Sequence, residues 1–208
     1  MSLYYLIDKI SNATLHKEPY EHLFIENFLD DDDYDILTKD YHEQDWLNEI
    51  AYNKIDYFTD DLVDNGDRDH CYNRGCKWDD YMEFIESELF IEALCKKFEC
   101  DSILPSLKYV VHEYLLDFPE HHIPIHEDSD GSNVPVFQIS VFLPDKDYDE
   151  FGTILYKDEN KNGELEMPMK RNSALIYGLD PKNAWHGTKP GNRIRKSLLT
   201  RYRTTNFK

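Results

Sequence analysis

Short runs of β-branched and aromatic residues follow one another through the second half of the chain, and this pattern constrains the fold most. Turn-forming stretches such as DGSN, KNG and KPGN separate these runs. Runs of this composition predict strands, and the stretches between them predict turns. The runs are SLKYVVHEYLL, HIPIH, VPVFQISVFLP, GTILYKD, GELEMPM, SALIYGL, AWHGT and RKSLLTRYR. They amount to about eight strands, which is the number of strands in a jelly roll.

The first hundred residues have a different pattern, which is mixed and mainly helical. DDDDYDILTKDYH begins with acids suited to cap a helix and continues with apolar residues at helical spacing. HLFIENFL predicts a strand, and NGDRDHCYNRGCKW predicts a loop. DDYMEFIESELFIEALCKKF predicts one long helix, with four apolar residues near one face: Met82, Ile85, Leu89 and Leu94.

The two halves are predicted to form a single domain, because no linker rich in Gly, Ser or Pro divides them. We therefore expect one α+β domain with a mainly β core over residues 1–208. In this arrangement residues 1–104 form a helical support region. Its helices pack outside a jelly-roll core at residues 105–208.

The charge of the chain restricts its partners. Its 208 residues include 42 acidic and 23 basic side chains, for a net charge of −19. Such a field repels polyanions, so we expect no nucleic-acid partner, although RIRKSLLTRYR leaves room for a local basic patch. No apolar run approaches the roughly 20 residues of a membrane span. MSLYYLIDKI is a poor signal peptide, so we expect a cytoplasmic protein with no membrane partner.

The cysteines form two pairs with C-x4-C spacing, Cys71 with Cys76 and Cys95 with Cys100. Zinc sites use tighter pairs, and the second pair lies on a predicted helix, where residues five apart diverge. We interpret all four as reduced thiols rather than as zinc ligands.

Metal-binding side chains are concentrated in HHIPIHED, residues 121–128, although the whole chain has only 9 histidines. His126 and Asp128 lie two residues apart, so in an extended chain they project to the same face and reach a single ion. His186, in NAWHGT between two strand-like segments, offers a third ligand. Two histidines and one carboxylate on one face of an octahedral ion form the facial triad of non-haem Fe(II) oxygenases. The alternative is that His126 is a surface-loop histidine and Asp128 a turn residue.

A basic residue inside the last predicted strand suggests an anion site. Arg195 lies nine residues after His186 and shares a strand face with Arg193, Ser197 and Arg201. An arginine that points into a β core needs an anion, because an unpaired buried charge is costly. A dicarboxylic co-substrate held by the guanidinium would supply that anion. The alternative is a solvent-facing strand end with alternating basic residues.

The order of these residues resembles that of the 2-oxoglutarate- and Fe(II)-dependent dioxygenases. It consists of H-x-D, about sixty residues of short strands, a histidine, and an arginine nine residues later in R-x-S. The resemblance is strongest to the prolyl 4-hydroxylase-like branch, including small bacterial and phage-encoded members, and it covers roughly residues 105–205. FGTILYKDENKNGELEMPMKRNSALIYGLDPKNAWHGT matches that branch in the order of its strands, hairpin and distal histidine. The fold of this family is a double-stranded β-helix, or jelly roll.

The resemblance implies roles for individual residues. It implies that His126, Asp128 and His186 bind the iron, that Arg195 binds the far carboxylate of 2-oxoglutarate, and that Ser197 assists Arg195.

The family pattern also bears on several further positions. Tyr114, twelve residues before His126, stands where the family often has a tyrosine that contacts the co-substrate, and a packed aromatic is the alternative. Phe142 replaces a polar residue or tyrosine that the family often has, and Gln138 and Ser140 share its strand face. His121 and His122 are expected to be polar strand residues, with His122 the main competitor of His126 as a ligand.

The activity that the resemblance implies is hydroxylation of a C–H bond, coupled to oxidative decarboxylation of 2-oxoglutarate by O2. Ascorbate is expected to support it. Related halogenases have a small residue at the position of Asp128, so the carboxylate favours hydroxylation. The motif order favours prolyl residues in a peptide or protein as substrate. A small molecule such as an amino acid, sugar or lipid is the alternative.

Two other classes of protein share a jelly roll. A cupin-type metal enzyme favours H-x-H followed shortly by Glu, a pattern that HIPIHED lacks. A non-catalytic jelly-roll binding module, in which the triad is accidental, remains the other alternative.

Overall fold

The computed structural model describes residues 3–42, 54–59, 77–101, 107–117, 119–120, 122–128, 134–178 and 184–204. The helices are α1 (Tyr5–Asn12), α2 (Asp31–His42), α3 (Lys77–Ile85) and α4 (Glu88–Lys97). The first strands are β1 (His22–Ile25), β2 (Lys54–Thr59), β3 (Leu107–Asp117), β4 (Val134–Phe142) and β5 (Tyr148–Tyr156). The remaining strands are β6 (Leu165–Met169), β7 (Ser173–Gly178), β8 (Trp185–Gly187) and β9 (Arg195–Thr204).

These strands form two antiparallel sheets. One sheet has 6 strands in the order β1-β7-β4-β9-β3-β2, and the other has 3 strands in the order β6-β5-β8. All of the described helices precede β3, and most of the strands follow them. The prediction of a mainly β protein with helices in its N-terminal part is therefore confirmed, while the double-stranded β-helix stays a prediction.

Alternation along the two central strands, β4 and β9, creates two different surfaces. On one side Phe137, Ile139 and Val141 of β4 join Leu198 and Tyr202 of β9 in the main hydrophobic core. On the other side the intervening residues of both strands line a cavity. Because side chains alternate between the faces of a sheet, the same two strands support the core and expose polar groups to the cavity.

The helices supply the other half of that core. Buried side chains of the helical region, such as Leu6, Leu37 and Leu94, belong to the same hydrophobic cluster as Phe137. The hydroxyl of Tyr202 donates to the carbonyl of Ile85 at 2.8 Å, which ties β9 to the end of α3. The helices therefore cover the face of the large sheet that lies opposite the cavity.

The prediction of one long helix over residues 79–98 is wrong, because the helix is broken at Ser87. Ser87 has an extended backbone (φ −65°, ψ 144°), and its hydroxyl accepts a hydrogen bond from the backbone N–H of Phe90. It is therefore the N-cap of a second helix, a position that serine favours. The helical register restarts there, so Leu89 is 45% exposed, while Met82 and Leu94 are buried as predicted.

The strand predicted at HIPIH is also wrong. Residues 122–125 form no ladder, and His126 alone makes an isolated bridge, with His186. Pro124 lacks the N–H that a ladder requires. Ile123 instead donates its N–H to the Thr188 hydroxyl at 2.8 Å and accepts from the Thr188 N–H at 2.9 Å.

The remaining strand predictions are confirmed, including β1 within HLFIENFL. The helix predicted at DDDDYDILTKDYH is α2. Most of the loop predicted at NGDRDHCYNRGCKW, with Cys71 and Cys76, lies outside the described residues. Cys95 and Cys100 are free thiols. Within the part of the chain that the structure describes, no helix is long and apolar enough to cross a membrane.

Candidate metal centre

The two histidines of the predicted triad are brought together by their own backbones. The N–H of His126 donates to the carbonyl of His186 at 2.9 Å, and the N–H of His186 donates back at 3.0 Å. Asp128 follows two residues later on the same segment. The ligand atoms of His126, Asp128 and His186 all lie within 4.8 Å of one another, as required of groups that bind one ion. Among the described residues they are the one such group.

Both imidazoles are oriented by a backbone carbonyl. The Nδ1 of His126 lies 2.9 Å from the carbonyl oxygen of Pro124, and the Nδ1 of His186 lies 2.9 Å from that of Ala184. A carbonyl oxygen only accepts, so each Nδ1 carries a hydrogen, and Nε2 presents a lone pair when the ring is neutral. The two Nε2 atoms lie 3.4 Å from the two carboxylate oxygens of Asp128. Metal-binding histidines are commonly fixed by such a contact through the other ring nitrogen.

The carboxylate of Asp128 is poorly satisfied by the protein. Its side chain is 8% exposed, and its Oδ2 atom accepts no hydrogen bond of good geometry from the described residues. The nearest nitrogen atoms, Nε2 of His186 and Nε of Arg201, lie 3.4 Å away. A buried carboxylate with so few donors is costly, and a divalent cation bound to it would compensate its charge. Two imidazoles and one carboxylate also match the ligand preference of Fe(II), so the residues present fit that metal.

Asp128 and His186 have the protonation states that a metal requires. Burial acts to raise the pKa of Asp128, but the hydrogen bond with His126 and the charges of His186 and Arg201 hold that pKa well below its usual range. Burial lowers the pKa of His186 to about 4. Burial also acts to lower the pKa of His126, but the hydrogen bonds with Asp128 and Pro124 and the charge of Asp128 together outweigh it, so the pKa is raised. At neutral pH the site therefore contains a carboxylate and a neutral imidazole at His186, the forms that bind metals.

His126 and His186 line a cavity with a largely polar wall. Strand β9 lines it with Arg195, Ser197, Leu199 and Arg201, and β4 lines it with Gln138, Ser140 and Phe142. Thr153 of β5 and Thr188, which follows β8, complete its polar wall. Arg193, which the strand pattern put on the same face as Arg195, instead stacks on the rings of Tyr148 and Phe151.

Arg195 reaches the cavity, but it also has a partner within the chain. Its Nη1 donates to Asp117 Oδ2 at 2.8 Å, and its Nε donates to the Phe151 carbonyl at 2.8 Å. Asp117 and Arg195 are directly paired across β3 and β9. The anion expected for this buried arginine is therefore supplied in part by Asp117. A guanidinium has five N–H groups, and these two bonds use two of them.

The other residues that the sequence singled out near the co-substrate and the metal lie in different surroundings. Ser197 is buried and lines the cavity together with Arg195, and its assisting role stays a prediction. The backbone of Tyr114 lies in β3 opposite Leu198, and its side chain lies outside the described part of the chain. His122 is exposed and takes no part in the cluster, while His121 lies outside the described residues. Gln138 and Ser140 both lie beside Phe142 in the cavity wall.

Sequence reasoning missed Asp117 and attached no role to Arg201. Arg201 lies six residues after Arg195, on the same strand face, and this spacing was the available signal. No sequence pattern indicated a role for Asp117, because its pairing with Arg195 depends on the register between two strands that are distant in sequence. Two of the arginines of RIRKSLLTRYR, where the sequence left room for a local basic patch, line the cavity: Arg195 and Arg201.

Comparison with known proteins supports the architecture. No known family profile matches the chain, and no curated protein sequence matches it. Among solved structures, a prolyl-4-hydroxylase from Pseudomonas putida is 14% identical, with a TM-score of 0.64 over 97% of this chain and 98% of that chain.

Two further solved structures are similar. A prolyl hydroxylase from Trichoplax adhaerens, in complex with a hypoxia inducible factor oxygen degradation domain peptide fragment, is 14% identical, with a TM-score of 0.60 over 96% of this chain and 90% of that chain. A 2OG-Fe(II) oxygenase family oxidoreductase from Burkholderia pseudomallei is 6% identical, with a TM-score of 0.56 over 99% of this chain and 91% of that chain. The resemblance read from the sequence is thus confirmed at the level of the fold, and the chain has the fold of prolyl 4-hydroxylase-like 2OG-Fe(II) oxygenases.

Proposed function

We propose that this protein is a 2-oxoglutarate- and Fe(II)-dependent dioxygenase that hydroxylates a C–H bond. The proposal rests on the convergence of His126, Asp128 and His186, whose ligand atoms lie within 4.8 Å of one another. Both histidines also line a largely polar cavity. Two histidines and one carboxylate occupy one face of an octahedral ion and leave positions for a co-substrate and dioxygen. A closed structural metal site would not leave such positions.

The residues of the chain have distinct roles in this proposal. His126, Asp128 and His186 would hold Fe(II), which supplies the oxidising chemistry together with O2 and 2-oxoglutarate when these are bound. Arg195, with Ser197 beside it, would bind the far carboxylate of 2-oxoglutarate through the N–H groups that Asp117 and Phe151 leave. The apolar side chains of Phe142 and Leu199 would exclude water from the same cavity.

The substrate that we favour is a prolyl residue in a peptide or protein. The motif order supports this choice, and the solved structure from Trichoplax adhaerens contains a peptide. The net charge of −19 would repel nucleic acids and favour neutral or basic peptides. A small molecule is the second candidate, because one jelly roll hosts many substrates. We also propose that residues 1–208 form one domain with a double-stranded β-helix at 105–208, and that the protein acts in the cytoplasm.

A non-catalytic binding module is the competing interpretation, and one observation favours it. Asp117 already supplies Arg195 with a carboxylate at 2.8 Å, so the arginine does not depend on a ligand for its charge balance. In this interpretation the pair between Asp117 and Arg195 is purely structural and the cavity binds no 2-oxoglutarate.

Anaerobic titration separates the two interpretations. Fe(II) and 2-oxoglutarate added together should produce a weak visible charge-transfer band in the oxygenase, and admission of O2 with ascorbate should then release succinate. His126→Ala should lose both signals, while His122→Ala, at an exposed histidine four residues away, should keep both. A wild-type protein that gives neither the band nor succinate would overturn the proposed function.

A further inference from the structure

Arg201 lies closer to the triad than any other basic residue of the cavity wall for which a contact is described. Its Nε is 3.4 Å from Oδ2 of Asp128 and 3.0 Å from Oε1 of Gln138. The Arg201 side chain is 14% exposed, so these contacts are made in a largely dry environment. An arginine at this position is too far along β9 from Arg195 to belong to the same carboxylate site, because six residues of strand span about 20 Å.

A chain of contacts holds Arg201 in place. Gln138 accepts from Arg201 through Oε1, and its amide nitrogen donates to the hydroxyl of Tyr177. Because a guanidinium only donates, the amide of Gln138 has one consistent orientation, with its oxygen toward Arg201. Tyr177 is fully buried, and its ring lies 5.4 Å from the ring of His186. The contacts thus run from Asp128 through Arg201, Gln138 and Tyr177 to a second member of the triad.

We propose that Arg201 is a positioning residue that orients the carboxylate of Asp128 for metal binding. This inference rests on the proposed function, since it requires that the triad holds a metal. A carboxylate that binds an ion through one oxygen keeps negative charge on the other, and Arg201 Nε is a charged donor beside Oδ2. Groups that hydrogen-bond a metal ligand fix its direction, and their loss typically weakens metal binding by about 10- to 100-fold.

Metal affinity of the apoprotein tests this role without any turnover. Mn(II), which binds the same ligand types as Fe(II) and is stable in air, is titrated calorimetrically into wild type and Arg201→Gln. We expect Arg201→Gln to bind Mn(II) about 10- to 100-fold more weakly. Arg193→Gln is the matched control: it removes the same charge next to β9, but Arg193 stacks on Tyr148 outside the cavity, so Mn(II) affinity should not change.

A spectroscopic measurement distinguishes orientation from general destabilisation. At saturating Co(II), the visible absorption bands report the geometry of the ligands, and they should differ between Arg201→Gln and wild type. The same bands should be unchanged in Arg193→Gln. Should Arg201→Gln fail to fold, Arg201→Met, which keeps the length of the side chain, takes its place in both measurements.

Two outcomes would overturn the inference. One is wild-type Mn(II) affinity in the folded Arg201 variant, and the other is weakened affinity with an unaltered Co(II) spectrum, which would indicate only a structural role. Failure of the proposed function has a different signature, because the wild-type protein itself would then bind neither Mn(II) nor Co(II) at the triad.

Discussion

His126 and His186 face each other across a single antiparallel bridge, in which each donates its N–H to the carbonyl of the other at 2.9 and 3.0 Å. The bridge brings their rings to a centroid separation of 4.3 Å. It also fastens the irregular segment 122–128 to β8, which belongs to a regular sheet. The geometry of the triad therefore depends on the close approach of these two backbones.

The first prediction concerns the triad itself. His126→Ala and His186→Ala should each abolish turnover of 2-oxoglutarate, because a missing imidazole leaves the metal with two protein ligands. The fold should stay largely intact, as judged by far-UV circular dichroism, and His122→Ala should behave as wild type. Near-native succinate production by either triad variant would show that the triad is wrongly assigned.

The second prediction concerns Gly187, which adjoins His186. A Cβ at this position would lie 2.9 Å from the Ile123 carbonyl oxygen and 3.2 Å from the Ile125 nitrogen. Gly187→Ala should therefore push segment 122–128 away from β8 and weaken binding of Mn(II) by the triad.

Gly163→Ala is the control for Gly187→Ala. Gly163 has a φ of +62° in the turn before β6, so alanine is strained there but lies away from the triad. Both variants should unfold at a lower temperature than wild type, and Gly187→Ala alone should lose Mn(II) affinity in calorimetry. Equal Mn(II) affinities would show that the bridge does not control the site.

The third prediction concerns co-substrate binding. Arg195→Ala should raise the apparent KM for 2-oxoglutarate by about tenfold or more, because a charge-assisted contact with a carboxylate is worth about 1.5–3 kcal/mol. Arg195→Lys, which retains a positive charge beside Asp117 but lacks the planar fork, should have an intermediate KM. Arg193→Ala should have much less effect in the same assay, and the reverse ranking would identify Arg193 as the binding residue.

The fourth prediction concerns the buried pair between Asp117 and Arg195. Asp117 is 2% exposed, so Asp117→Asn leaves the charge of Arg195 buried with less compensation. Urea unfolding should show a loss of about 3–5 kcal/mol in the free energy of unfolding. Asp145→Asn, which removes the partner of Lys196 where the carboxylate is 72% exposed, should cost at most about 1 kcal/mol. If both variants lost the same free energy of unfolding, burial of the pair between Asp117 and Arg195 would not be what makes it stabilising.

The fifth prediction concerns the substrate. Incubation with Fe(II), 2-oxoglutarate, ascorbate and proline-containing peptides should give a product heavier by about 16 Da, as expected for insertion of one oxygen atom. Mass spectrometry of the peptides detects this product. Succinate formed at the same slow rate with and without every peptide would instead indicate a small-molecule substrate.

Much of the architecture could be predicted from local sequence patterns. Alternating and β-branched runs identified β3 to β7 and β9, since the side-chain period of a strand is visible in the sequence. At two other places a single residue overrode the secondary structure that the surrounding pattern predicts. The capping hydroxyl of Ser87 outweighed a continuous apolar pattern, and Pro124 removed a donor from a run that otherwise read as a strand.

The sequence by itself determined which residues we propose for binding the metal and the co-substrate. The H-x-D spacing of His126 and Asp128, and the position of Arg195 in a strand, required only the period of an extended chain. The tertiary structure alone decided which distant groups meet them. Asp117 pairs with Arg195, and Arg201 approaches Asp128, because of the register and neighbourhood of strands that are far apart in sequence. Such contacts depend on long-range pairing, which no local pattern of residues specifies.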